Sequence, residues 1–296
     1  MNKPKFSVVI PTFNRAGFIK QTIESVLAQT NADFEVIVID DGSTDGTEEI
    51  VRSIDDERVS YHKKENEERA VARNTGRDIA EGRYVTFLDS DDLLYVDHLA
   101  VAQEMIEKYG EPEFFHLGYE FIDPATAQSR DVTLMPVIAN NILIRGNALS
   151  CNGVFLRSDI AEAHPFNTNR ELSGTEDYEL WLRLASRYPL YCDNRVTSAI
   201  MQHDQRSVVT TDQKRLIRRI ELLEQYLLED HSFVKKFGKG LAEFRANNRV
   251  YIALHLALAG RRTMAISYLA KSLACTLNAL KNRAFYGTIK RLFVRL

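Results

Sequence analysis

The sequence predicts an α/β fold, a mostly parallel sheet flanked by helices, followed by a helical carboxyl-terminal module. Three observations carry this. Short apolar runs alternate with stretches of helical periodicity over the first hundred or so residues, the βαβαβαβ order of a parallel sheet. Three of the strand-like runs end in polar clusters: Thr12-Phe13-Asn14-Arg15, Asp40-Asp41 and Asp89-Ser90-Asp91-Asp92. Beyond residue 211 the alternation stops and helical periodicity takes over, together with a reversal of charge. From Asp212 to Leu296 there are 17 lysines and arginines against 6 acids, a balance of +11, while residues 1–211 carry −14. Such asymmetry marks two modules, with domains expected at 1–211 and 212–296.

The elements follow in order. Phe6-Ser7-Val8-Val9-Ile10 reads as a first strand ending at Pro11. A helix opening at or beside Asn14 carries Ile19, Ile23, Val26 and Leu27 at helical spacing. Phe34 to Ile39 is apolar almost throughout, as a strand covered on both faces must be. A helix with Ile50, Val51 and Ile54 on one side precedes a third strand at Arg58–His62. Residues 68–80 read as a helix, and Tyr84-Val85-Thr86-Phe87-Leu88 as a buried strand that runs into the acids. Asp97–Tyr109 is the next helix, Phe114–Ile122 and Gly153–Leu156 are strands, and a helix begins near Glu176. Residues 190–203 are extended. After that, leucine-rich periodicities (Leu216, Ile220, Leu223, Leu227; Ile252, Leu256, Ala259; Ile266, Leu269, Leu273, Leu277, Leu280) predict helices, with Gly260 as a break. The final stretch aligns Phe285, Ile289, Leu292, Phe293 and Leu296 on one face, away from Lys290, Arg291 and Arg295.

Composition excludes several classes. Cys151, Cys192 and Cys275 are odd in number and widely spaced, which suits a reducing compartment and no disulfide framework. No window holds the ~20 apolar residues of a transmembrane helix, and the amino terminus enters a strand directly rather than through a signal peptide. A cytoplasmic protein is the expectation.

The chemistry concentrates at the polar clusters. In a parallel sheet, ligands bind beyond the carboxyl ends of the strands, so the three clusters should converge on one cleft. Three acids within four residues at 89–92 repel one another unless a cation sits among them. Hard carboxylate oxygens suit Mg²⁺ or Mn²⁺, which take one or two protein carboxylates and complete their shell with water and phosphate oxygens. A solvated acidic turn is the alternative. Likewise, Glu176 and Asp177 follow Thr175 at the start of a helix and are compatible with plain capping.

Taken together, the clusters resemble the family 2 glycosyltransferases, an inverting group with the nucleotide-sugar-binding GT-A fold. The resemblance is carried by Ser7-Val8-Val9-Ile10-Pro11-Thr12-Phe13-Asn14-Arg15, Val38-Ile39-Asp40-Asp41-Gly42-Ser43-Thr44-Asp45-Gly46-Thr47, Ala72-Arg73-Asn74-Thr75-Gly76, Thr86 to Asp92, and Gly174-Thr175-Glu176-Asp177-Tyr178-Glu179-Leu180-Trp181. Five motifs in the family's order are far more specific than any one of them. The resemblance implies a transferase that moves a sugar from a nucleoside diphosphate, UDP first among them, to an acceptor hydroxyl. It assigns Asp41, Thr12 and Asn14 to the base and ribose pocket, with Pro11, Arg15 and Ser90 beside them. Arg73 is expected to face the nucleotide; an exposed helix arginine is the alternative. Asp91 is the expected direct ligand of Mn²⁺ or Mg²⁺, with Asp89 nearer the ribose or a metal-bound water. His203 stands where related enzymes carry a histidine that helps hold metal or diphosphate, and a structural histidine is equally compatible. Asp177 matches the catalytic base. Glu176 either binds acceptor or orients Asp177, and Trp181 either contacts acceptor or packs in the core. One departure is Asn66-Glu67-Glu68-Arg69-Ala70, where the family usually has glycine. Two glutamates beside a diphosphate would be unfavourable, so this loop should turn outward or touch a sugar hydroxyl.

The basic module lies outside these motifs. Internal packing, homodimerisation and docking on an anionic membrane surface are the roles open to it; the last would make the protein peripheral on the inner face of the cell membrane, with a glycan or lipid-linked glycan as acceptor. No recognition motif for nucleic acid accompanies the charge. A sugar-nucleotide nucleotidyltransferase would need a glycine-rich phosphate loop after the first strand, and there is none. A phosphoacceptor built on Asp40-Asp41 explains neither the acids at 89–92 nor Glu176-Asp177. An inactive nucleotide-binding scaffold is the remaining alternative.

Overall fold

The computed structural model describes residues 3–126, 128–131, 134–203 and 212–293. Two compact units are present: one comprises Met1–Ala139, Leu149–Leu180 and Tyr188–Arg206, the other Asn140–Ala148, Trp181–Arg187 and Ser207–Leu296. The expected division at residue 211 falls in the undescribed stretch 204–211. The second unit also draws in two segments from earlier in the chain.

The first unit is built on a sheet whose described strands are β1 (Phe6–Thr12), β2 (Phe34–Asp40), β3 (Val59–Lys63), β4 (Tyr84–Phe87), β5 (Leu93–Leu94), β6 (Phe114–Asp123), β7 (Gln128–Asp131), β8 (Val154–Arg157) and β9 (Leu190–Met201). Their order is β3-β2-β1-β4-β8-β6-β9-β5, with β7 on β6. The first four strands are parallel, as are β6 and β9. β8 runs antiparallel between β4 and β6, and β5 and β7 are antiparallel to their neighbours. The sheet is therefore mixed, and the parallel part coincides with the stretch where strands and helices alternate in sequence. Beyond it, β8 runs antiparallel to both of its neighbours, while β6 and β9 pair parallel. β5 and β7 are too short to stand out in the sequence.

The helices α1 (Ile19–Leu27), α2 (Thr47–Arg52), α3 (Arg69–Ile79), α4 (His98–Tyr109), α5 (Ser158–Ala163) and α6 (Glu176–Ala185) connect these strands. α1 begins later than the expected Asn14. Asn14 instead has φ +52°; its backbone N–H donates to Ser43 Oγ at 2.9 Å and its Oδ1 accepts from the Thr44 N–H at 2.9 Å. It fastens the loop after β1 to the loop after β2. α1 still presents Ile19, Ile23 and Val26 to the core, where Phe6, Phe115 and Phe155 meet with ring centroids 5.0–5.7 Å apart. α3 lies against β1 because Gly76 has no side chain: a Cβ there would fall 2.3 Å from Val9 Cγ1. That close approach sets Arg73, one turn earlier, at the carboxyl ends of the strands.

In the second unit, α7 (Gln213–Glu229), α8 (His231–Phe237), α9 (Leu241–Leu258), α10 (Arg262–Cys275) and α11 (Arg283–Phe293) form the helical body. Leu216, Ile220, Leu223 and Leu227 of α7 are buried as their spacing predicts, as are Ile252 and Leu256 of α9. Gly260 has φ +72° just past α9, the left-handed helix stop that glycine favours. Glu224 accepts from both arms of Arg249 at 2.6 and 2.8 Å and from Asn248 at 3.0 Å, tying α7 to α9. The long leucine periodicity after Ile266 is not one helix. Thr276 is extended (φ −166°) and ends α10, a short 3₁₀ turn follows at Leu277–Lys281, and Leu277 and Leu280 are exposed. In α11, Phe285 and Leu292 of the predicted apolar stripe are buried and Ile289 is half-buried, but Phe293 is exposed; Leu296 lies outside the described residues. No described helix is long and apolar enough to cross a membrane.

Candidate active site

The three polar loops do converge, all within the first unit. Pro11 and Thr12 finish β1 as buried residues, and the Thr12 hydroxyl has no partner among the described residues. The carbonyl of Thr12 accepts from the Asp41 N–H at 2.8 Å. Arg15 donates its backbone N–H to Thr47 Oγ1 at 3.0 Å and its Nε to Asp91 Oδ2 at 3.3 Å. One residue thus joins the loops after β1, β2 and β4. Asp40 shapes the middle loop by accepting from the Ser43 N–H and the Tyr61 hydroxyl, and Ser90 is buried.

Asp41 is nearly buried and accepts three hydrogen bonds: from Lys64 Nζ at 2.9 Å, the Glu67 N–H at 3.0 Å and the Glu68 N–H at 2.9 Å. A carboxylate offers about four acceptor positions, so one is left for a ligand donor. These bonds hold the glycine-free segment. Glu67 turns outward and pairs with Lys64 at 2.9 Å, as expected of one of the two glutamates. Glu68 lies at φ +77°, ψ +160°, backbone space that is essentially glycine's own and costs another residue about 1–3 kcal/mol. The strain sits at the position where the resemblance leads one to look for glycine. Replacing Glu68 by Gly removes it but adds about 0.5–1 kcal/mol of unfolded-chain entropy. Glu68→Gly is therefore expected to stabilise the fold by about 1 kcal/mol, read by urea denaturation, and a loss of stability would show the loop to be unstrained.

The acids further along are linked through Arg73. Its guanidinium is buried, donating to Asp89 Oδ1 at 2.7 Å and to Glu176 Oε1 at 2.9 Å, above the Phe166 ring at 5.3 Å. Arg73 is thus the bridge between the loop after β4 and the start of α6, rather than an exposed helix residue. Glu176 is buried; it also takes the Gly174 N–H at 2.5 Å and lies 3.9 Å from Arg69. Burial alone would raise its carboxyl, yet Arg69 and Arg73 hold it below its ordinary value. It is enclosed by arginines, and its charge acts on Asp177 beside it. Asp177 is only partly covered. Burial and the Glu176 charge push its carboxyl up to about 6, with Arg73 opposing. Two neighbouring carboxylates driven apart in this way fit the roles of fixed anion and proton acceptor. Trp181 is wholly buried and offers no surface to an acceptor; its large apolar ring fills the core instead.

Asp91 Oδ2 also lies 3.1 Å from His203 Nε2, and the His203 ring stacks on Phe18 with centroids 4.5 Å apart. Residues 204–207, which follow this histidine, lie outside the described residues. Asp92 faces away and accepts from the Met201 N–H at 3.0 Å, pinning the end of β9 to the acidic loop. Among the described residues no group of three or more His, Cys, Asp or Glu is placed to hold a metal by itself. One carboxylate and one imidazole are what a cation needs when diphosphate and water supply the rest, so the residues fit Mg²⁺ or Mn²⁺. Arg15 brings a positive charge to the Asp91 carboxylate at 3.3 Å.

Four participants carry no signal in the sequence. Lys64 and Arg69 reach Asp41 and Glu176 only through the fold, and Phe18 meets His203 across the chain. Cys151 is buried within electrostatic reach of Arg73, Asp89 and Asp177, and burial pushes its thiol well above the usual range. A lysine just past β3 is the nearest thing to a clue, since parallel β2 and β3 end side by side.

Known proteins place this arrangement. The sequence profile described as "Glycosyl transferase family 2" matches residues 7–121. An uncharacterised glycosyltransferase of Haemophilus influenzae is 33% identical over 185 residues, covering 62% of this chain and 72% of that protein. One from Rickettsia conorii is 42% identical over 124 residues, but the match spans only 20% of its length. Among solved structures, S. aureus TarS 1–349 in complex with UDP-GlcNAc aligns with TM-score 0.66 at 17% identity over 90% of each chain. A mannosyltransferase from Pyrobaculum calidifontis in complex with GDP-Man and Mn²⁺ aligns with TM-score 0.62 at 19% identity, over 98% of this chain and 81% of that one. These likenesses give the mixed sheet of the GT-A type with its helical carboxyl-terminal region. On its motifs, its fold and these relatives, the chain belongs to glycosyltransferase family 2.

Proposed function

We propose that residues 1–211 transfer a sugar from a nucleoside diphosphate, UDP in the first instance, to an acceptor hydroxyl by one inverting displacement. The observation that carries this reading is the Arg73 bridge. It fastens Asp89, beside Asp91, to Glu176, beside Asp177, although 87 positions separate Asp89 and Glu176 in the chain. A diphosphate at Asp91 and a hydroxyl at Asp177 would therefore share one pocket.

The residues divide the work. Thr12, with its unpartnered hydroxyl, and the remaining acceptor position of Asp41 suit the ribose and the imide N–H of a uracil ring. TarS, of like fold, was solved with UDP-GlcNAc. Asp91 and His203 would hold Mn²⁺ or Mg²⁺, with Asp89 and Ser90 alongside, and the P. calidifontis enzyme was solved with Mn²⁺. Such a cation neutralises negative charge growing on the leaving diphosphate. Arg15, paired with Asp91, would bring its positive charge beside the phosphates. Asp177 takes the acceptor's proton as its oxygen bonds to the anomeric carbon; the bond to the diphosphate breaks on the opposite side, and the electron pair leaves with the nucleotide. The acceptor we propose is a glycan or lipid-linked glycan for a cell-surface polysaccharide or glycolipid. Residues 212–296 would then hold the enzyme at the inner face of the membrane, or pair two copies.

Turnover in a panel of nucleotide sugars with Mn²⁺ tests the reading, and no release of nucleotide from any donor would reject it. Asp91→Ala is expected to weaken UDP binding in the presence of Mn²⁺ by about 100-fold, because even outer partners of metal ligands are worth about 10–100-fold. Titration calorimetry checks this: unchanged affinity would remove Asp91 from the metal site.

A further inference from the structure

The outward face of α11 is chemically unlike the stripe that its sequence advertises. Arg283, Tyr286, Lys290 and Phe293 follow one another at spacings of three, four and three residues, and all four are exposed, whereas Phe285, Thr288 and Leu292 on the other side are buried. The result is a row that alternates cation and aromatic ring. Phe293 is 79% exposed, and Leu277 on the preceding 3₁₀ turn is 75% exposed. Beyond Glu243 the sequence contains ten lysines and arginines and not one aspartate or glutamate.

Where the 3₁₀ turn meets α11 there is a cavity of about 590 Å³. Asn278, Lys281, Asn282 and Arg283 line it on this side, Asn247 and the Arg145–Glu243 ion pair on the other. Arg145 is neutralised by Glu243 at 3.0 Å, and Asn282 Nδ2 donates to Asn247 Oδ1 at 2.7 Å. Among the described residues, neither Lys281 nor Arg283 has a carboxylate partner, and the Asn278 amide has no side-chain hydrogen bond. Two cations unpaired among the described residues, beside the Asn278 amide, match a phosphodiester oxyanion with a hydroxyl next to it. Apolar and aromatic groups exposed among cations suit the boundary between headgroups and acyl chains rather than open water.

We propose that this cavity holds the phosphate headgroup of an anionic membrane lipid, Lys281 and Arg283 gripping the phosphate while Leu277, Tyr286 and Phe293 enter the interface. The proposal deepens the docking reading given above and does not depend on the donor chemistry. A soluble phosphate ester and a single-stranded nucleic acid are the competing ligands.

The test is flotation of the full chain with vesicles of phosphatidylcholine, alone or mixed with phosphatidylglycerol, alongside Lys281→Ser/Arg283→Ser and Tyr286→Ser/Phe293→Ser. All four positions are exposed, and an unchanged melting temperature confirms intact folding. Binding only to the mixed vesicles is expected. Loss of both cavity cations should weaken it by about 30-fold, since each near-surface cation is worth about fivefold. Loss of both rings should weaken what remains at high salt, where charge attraction is screened. UDP binding should not change in either variant, which separates failure of this proposal from failure of the transferase reading. Equal binding of the cavity variant and the parent would overturn the headgroup site. So would capture of glycerol phosphate or of an oligonucleotide by a chain that ignores the vesicles.

Discussion

Asp177→Asn is expected to lower kcat about 10²- to 10⁴-fold, the usual value of a positioned general base, with UDP affinity unchanged. The side chain keeps its shape but no longer accepts a proton. The parent enzyme should show the same dependence in its pH profile. Burial and Glu176 push Asp177 up to about 6, so kcat should fall about tenfold per pH unit below that value and level off above it. The sign of the stability effect follows from the same shift. A carboxyl whose folded pKa is raised binds its proton more tightly in the folded state. It therefore costs stability above pH 6, and that cost disappears as pH falls towards its ordinary value near 3.8. Asp177→Asn should accordingly be more stable than the parent at pH 8, by up to about 3 kcal/mol, and indistinguishable from it near pH 4. An inactive variant that melts higher is the signature of a strained catalytic carboxylate. A variant that loses activity, UDP binding and stability together would show Asp177 to be structural.

Arg73→Met should carry the largest loss of stability, about 3–5 kcal/mol, because it leaves a buried carboxylate without its partner. Glu176 and Arg73 are both almost wholly buried and Asp89 is partly so. The Glu176 carboxyl is held below its ordinary value near 4.5 by Arg69 and Arg73, so it contributes stability above pH 4.5 that fades as pH falls through its folded value. Without Arg73 its pKa rises and the contribution changes sign, costing stability at neutral pH and relenting in acid. The gap between parent and variant should therefore narrow below about pH 5. Thermal unfolding at pH 7 and pH 4.5 measures both effects, and a gap independent of pH would mean that packing, not charge, is what Arg73 supplies. Arg73→Lys keeps a charge but not the two-armed fork, and should fall between the two.

Much of the site was legible because a parallel sheet puts the carboxyl ends of its strands on one side. Once Phe6–Thr12, Phe34–Asp40 and Tyr84–Phe87 read as neighbouring strands, Asn14, Asp41 and Asp91 had to meet, and Arg15 and Ser43 show that they do. The motif around Asp177 joined them through the family resemblance, not through spacing. What could not be read was pairing between distant segments. Arg73 looks like any helix arginine until Glu176 is brought to it across 103 positions. Lys64 and Glu68 owe their roles to the three bonds gathered by Asp41. The helical unit misled for another reason. Leucine periodicity runs on through Thr276, but that residue is extended and its hydroxyl accepts from the Asn278 N–H at 3.2 Å. Leu277 and Leu280 beyond it are therefore turned out instead of in. In α11 Phe285 and Leu292 of the apolar stripe are packed, whereas Phe293 joins Arg283, Tyr286 and Lys290 on the exposed face.

Acids from distant parts of the chain serve one pocket, one of them beside a cation and another at the acceptor, in the reading proposed above. A structure of the chain soaked with a UDP-sugar and Mn²⁺ tests this most directly. Mn²⁺ is expected on Asp91 and His203, the uracil against Asp41, and the Asp177 carboxyl on the side of the sugar ring away from the diphosphate. Nucleotide bound elsewhere, or a sugar whose anomeric carbon turns that face away from Asp177, would contradict it.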